Sequence, residues 1–110
     1  MNVTQNSLQP MKSLYADDDV IAEILPDFVR NLSGYVDKLR AALAVGDHVQ
    51  GARVCHDLKG TAGGYGYPEI SELAQHLETA LKTGGETTHL TQLVDQIATL
   101  CQRALIGLDL

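Results

Sequence analysis

The stretch VCHDLKGTAGGYGYPEISELAQHLE, residues 54–78, decides how this chain folds. It reads as a helix, a turn and a second helix. The turn is GYGYP at 64–68, and Pro68 fits the first position of a helix, where a missing N–H breaks no bond. Beyond it, Ile70, Leu73, Ala74, Leu77 and Leu81 recur at the 3.6-residue period of an amphipathic helix. Before it, at roughly 100° per residue, Gly51, Val54, Cys55, Leu58, Ala62 and Tyr65 gather on one side of a helical wheel. That side faces a core. His56 points away from it, with Lys59, Gly60 and Gly63 on its own side at offsets of three, four and seven.

A lone outward histidine ordinarily does nothing, and a lone lysine is a solvated charge. Gly60 is harder to dismiss. A glycine inside a helix costs about 0.8–1 kcal/mol relative to alanine, and the compensation available is close approach of another surface over the imidazole. Gly63 fits the same clearance, although Gly63 and Gly64 can equally end the helix. The hairpin supplies a second argument. With the turn centred near Tyr67, residues equidistant from it lie level on antiparallel helices. His56 is eleven before Tyr67 and Glu78 eleven after it, and Lys59 is level with Gln75. A carboxylate accepting the Nδ1–H would orient the ring and leave Nε2 as a nucleophile.

Working outward, the apolar residues Phe28, Val29, Leu32, Tyr35, Val36, Leu39 and Leu43 predict a helix over 27–45. Gly46 stops it. Asp47 caps the histidine helix, and Gln50 completes a capping-box pattern. Downstream of the TGGETT loop at 83–88, a last helix carries Leu90, Leu93, Val94, Ile97, Leu100, Cys101, Ala104 and Leu105. Upstream, the DDD run at 17–19 suits a helix start, since carboxylates favour the positive end of the helix dipole. A short helix with Ile21, Ile24 and Leu25 follows, and Pro26 ends it, kinks it or begins the next one. Residues 1–16 are polar and read as a flexible arm, with Leu14 and Tyr15 as candidates for packing on the body; residues 17–110 form the domain. The expected fold is all-α, an antiparallel four-helix bundle with a short additional N-terminal helix.

Composition agrees. The chain has 110 residues, 45% hydrophobic and 20% charged, with no Trp and a single Phe, so one aliphatic core is expected. A net charge of −6 with no basic patch argues against nucleic acid and anionic membranes as partners. No long apolar run opens the chain, so neither a signal peptide nor a membrane span is expected and the location expected is cytoplasmic. Cys55 and Cys101 both fall at apolar helical positions and read as buried thiols.

The segment HDLKGTAGGYGY resembles the signature of the histidine-containing phosphotransfer (HPt) domain, through His56, Leu58, Lys59, Gly60, Ala62, Gly63 and Gly66. LAQHLE at 73–78 and AALAVGD at 41–47 resemble the flanking parts of that family, and the likeness covers roughly residues 18–106. The resemblance implies a phosphoprotein of two-component signal transduction. His56 would become phosphohistidine, taking a phosphoryl group from the aspartyl-phosphate of one receiver domain and relaying it to another. The partners implied are receiver domains of response regulators and of hybrid sensor histidine kinases. By the same resemblance Lys59 contacts the phosphoryl oxygens, Gly60 and Gly63 clear room for the partner, and Gln75 and Glu78 hydrogen-bond around the histidine. Tyr65 and Tyr67 would shape partner choice. The chain carries no paired carboxylates that suggest a metal site, so no cofactor is expected on it and Mg²⁺ is expected on the receiver. No Gly-rich phosphate loop is present, and ATP-dependent kinase activity is not expected.

Three other readings compete. A metal-binding bundle needs inward Glu-x-x-His sets from two helices, whereas His48, His76 and His89 are scattered and expected on the surface. A hydrolase using His56 as base lacks a Ser or Cys nucleophile with an orienting acid. A helical protein–protein interaction module with the same fold and no phosphotransfer would not need the histidine and lysine together.

Overall fold

The computed structural model describes residues 8–108. Five helices follow one another: α1 (Asp19–Arg30), α2 (Leu32–Ala44), α3 (His48–Gly64), α4 (Pro68–Lys82) and α5 (Thr87–Leu108). Helices α2 to α5 form the antiparallel bundle, each packing on its two neighbours around a closed ring, and α1 packs on α2 and α5. The α3–α4 pair makes the most extensive contact. No strand occurs among the described residues.

The caps explain the helix starts. The Asp18 carboxylate accepts from the N–H groups of Val20 and Ile21, each at 3.0 Å, and Asp47 accepts from Gln50 at 3.0 Å. Pro68 occupies the first turn of α4. At Gly66 the backbone takes φ +87°, and a side chain there would also collide with Ser13 and Leu14.

The core is aliphatic. Leu32, Leu39, Leu58, Ile70, Leu77, Leu90, Val94 and Ile97 are each at most 1% exposed. They come from all four bundle helices, which is why the fold needs every one of the predicted stripes.

One helix boundary differs from expectation. The helix predicted over 27–45 is divided at Asn31, and Phe28 and Val29 belong to α1, which runs through Pro26. Proline removes one hydrogen bond from the ladder. Burial of Phe28 and Val29 on the following turn outweighs that loss. The helix stops instead where the Asn31 N–H is shared between the carbonyls of Asp27 at 3.2 Å and Phe28 at 3.1 Å. A shared bond of this kind tightens the final turn and lets α2 leave in a new direction.

The arm expected over residues 1–16 also differs. Residues 1–7 lie outside the described residues, but 9–16 are tied to the bundle. The Met11 N–H donates to the Arg103 carbonyl at 2.9 Å, the Leu14 N–H to the Gly66 carbonyl at 2.9 Å, and the Ser13 hydroxyl to the Tyr65 carbonyl. Arg103 donates in turn to the Gln9 carbonyl at 2.9 Å. Met11 and Ser13 are buried, while Leu14 and Tyr15, the residues expected to pack, are exposed. A side chain at position 107 would overlap the Met11 backbone, so Gly107 lets the strap lie directly on α5. Polar composition concealed this because the attachment is mostly backbone hydrogen bonding.

Candidate functional site

The site sits at mid-height on the α3–α4 pair. His56 projects from α3 with its side chain 70% exposed, and Leu58, two residues on, is completely buried. The outward direction of the imidazole is thus fixed by the core residues around it in sequence.

The level pairs counted across the hairpin meet in space. His56 Nδ1 lies 3.4 Å from Glu78 Oε2. Lys59 Nζ donates to Gln75 Oε1 at 2.8 Å and to Glu78 Oε1 at 3.3 Å. Lys82 Nζ donates to Glu78 Oε2 at 3.0 Å. The Nδ1 distance is an ion-pair distance, longer than a well-formed N–H···O bond. It sets the Nδ1 edge of the ring toward the carboxylate, leaving Nε2 on the opposite edge.

Glu78 is the least accessible charged side chain of the group, 6% exposed. Burial alone would push its carboxyl upward. The hydrogen bond from Lys82 outweighs that, and with Lys59 it holds Glu78 below the ordinary glutamate range. The depressed value makes this ionisation stabilising above the unfolded-state value of about 4.3, with the contribution lost as the pH falls through the lowered value. Wild-type protein is therefore expected to lose more thermal stability than Glu78→Gln between about pH 5 and about pH 3. Thermal melts at each pH measure this, and parallel slopes would remove the carboxylate from the network.

Sequence reasoning missed Lys82 as a site residue, although Glu78 to Lys82 is a favoured i, i+4 order on a helix. It also missed Ser71, whose hydroxyl donates to the Lys59 carbonyl at 2.7 Å and pins α4 to α3 beside the site.

The two glycines differ. Above Gly60 there is open space. A side chain at Gly63 would instead meet the Ser71 hydroxyl at 3.4 Å. Gly63 therefore faces α4 at ordinary contact distance, whereas Gly60 faces no neighbour. Tyr65 and Tyr67 likewise turn inward, where Phe28 stacks on Tyr65 with ring centroids 4.2 Å apart and on Tyr67 at 6.2 Å. Tyr67 is buried and Tyr65 half-buried, so they join the α3–α4 turn to α1 and offer little surface to a partner.

Beside His56 an open groove of about 720 Å³ runs between α3 and α4, lined by Val49, Ala52, Arg53, His56, Leu81 and Lys82. Val49 and the nearby Val45 are strongly exposed. His48, expected on the surface, is half-buried at the groove's edge, while His76 and His89 are exposed. Glu86 and His89, which have the Glu-x-x-His spacing, are exposed at the start of α5. Among the described residues no group of three or more His, Cys, Asp or Glu side chains is placed to hold a metal ion. Burial pushes both thiols up to about 12, with the charge of Glu78 adding to the effect at Cys55. Cys55 is thus a protonated core group at neutral pH and a poor nucleophile. No described helix is long and apolar enough to cross a membrane.

The family model described as Hpt domain matches residues 23–106. Neither a curated protein nor a solved structure matches the chain significantly.

Proposed function

The chain belongs to the Hpt domain family, and from that premise we propose that His56 is the residue that carries the phosphoryl group. Hpt domains are phosphocarrier modules of phosphorelays rather than kinases, and they interact with receiver domains. The observation that carries the reading for this chain is the 3.4 Å approach of Nδ1 to a buried carboxylate on an otherwise exposed ring.

The proton stays on Nδ1, facing Glu78, and the Nε2 lone pair attacks phosphorus of a receiver aspartyl-phosphate. The P–N bond forms as the P–O bond to the aspartate breaks, and the aspartate leaves as a carboxylate. No proton need move. The ring becomes cationic, which the Glu78 carboxylate offsets. The reverse sequence delivers the phosphoryl group to a second receiver. The Mg²⁺ and the acidic pocket are assigned to the receiver, and the histidine and its cations to this chain.

The groove and the open space over Gly60 support docking of the receiver on the His56 side. The surface offered is modest in area, as befits a transient encounter. Transfer from a loaded receiver under single-turnover conditions tests the reading. Lys59→Ala is expected to slow it roughly tenfold, less than the 10²–10³ seen in water-excluded oxyanion sites because this site is open. An unchanged rate would take Lys59 out of the mechanism.

A further inference from the structure

Glu78 is shared three ways, and the division between its oxygens is informative. Oε1 faces Lys59, while Oε2 faces both Lys82 and His56 Nδ1. Lys59 is the less committed of the two lysines. Its shorter bond, 2.8 Å, goes to the neutral Gln75, and its contact to Glu78 is 3.3 Å. Lys82 lies closer, at 3.0 Å, and sits in the last turn of α4, where a cation also complements the helix dipole. Its side chain is 63% exposed, so it has no part in the core.

Phosphoryl transfer asks two things of these cations. The phosphoryl oxygens need a positive group beside His56, and Lys59, three residues along the same helix and already turned toward Glu78, is the one assigned to them, while Arg53 flanks the groove from the other side. The ring turns cationic as the P–N bond forms, so Glu78 must remain a seated anion beside Nδ1. Once Lys59 turns to the phosphoryl group, Oε1 loses its cation, and a buried carboxylate without a partner is strongly disfavoured. We infer that Lys82 is a positioning residue that anchors Glu78 through Oε2 and so frees Lys59 to serve the phosphoryl group. The inference rests on the phosphocarrier reading and deepens it.

The test uses the whole chain with two phosphoryl donors, a loaded receiver domain and phosphoramidate, which needs no docking partner. Lys82→Ala is expected to slow labelling of His56 roughly fivefold with both donors, and Lys82→Arg to restore it. In a Glu78→Gln background, Lys82→Ala should change the rate by less than about twofold, because no carboxylate is left to anchor. A wild-type rate in Lys82→Ala overturns the inference. So does slowing that persists undiminished in Glu78→Gln. Slowing with the receiver but not with phosphoramidate overturns it as well, since Lys82 is then a docking contact. In each of these cases His56 is still labelled and the phosphocarrier reading stands. Failure of both donors to label the wild-type chain would sink the two together.

Discussion

Labelling by a phosphorylated receiver domain is expected to vanish in His56→Gln, while the helical circular dichroism and the thermal midpoint stay at wild-type values. The two halves of this result have separate causes. Glutamine has an amide in place of a ring nitrogen lone pair, so it cannot form the P–N bond. The position is 70% exposed, and its neighbours at the core are Cys55 and Leu58 rather than His56 itself, so the substitution is expected to stay within about 0.5 kcal/mol. The wild-type label should be lost in acid, as expected of a phosphoramidate linkage. His48 edges the same groove, so His48→Gln is the matching control and should label normally. A label that survives in His56→Gln would overturn the assignment of the carrier residue.

The second large effect is on stability. Leu58→Ala is expected to cost about 2–5 kcal/mol and to lower the midpoint by roughly 10–25 °C. Leu58 is completely buried between two site residues, His56 and Lys59, on the opposite face of α3. Removing it leaves a cavity where α3 meets the rest of the core, and a cost of this size is a large fraction of the stability of a domain of this length. Labelling measured well below the lowered midpoint should persist, because the helix that carries His56 still forms. A loss under 1 kcal/mol by denaturant titration would mean that α3 is not anchored as described.

The stripes of α3, α4 and α5 were legible because helical burial repeats every 3.6 residues and these segments are long enough to display it. The same arithmetic turned His56 outward. Counting from Tyr67 found Glu78 and Gln75, since two straight antiparallel helices joined by a short turn keep equidistant residues level. Where the chain departs from ideal repetition, the sequence was less informative. Pro26 could end the first helix, kink it or begin the next, and the helix runs on through it because a single missing hydrogen bond is a small local loss beside the burial of Phe28 and Val29.

What the sequence by itself determined, then, is the class of fold, the outward direction of His56 and the residues level with it, all of which follow from local periodicity and one short turn. Tertiary structure alone decided that Glu78 is buried rather than solvated, and that Ser71 bonds the Lys59 carbonyl and lies against Gly63. It alone decided that residues 9–16 strap α5 to the α3–α4 turn. These depend on how closely two helices approach and on backbone groups meeting across more than fifty residues. Neither the identity nor the spacing of single residues along the chain records such distances.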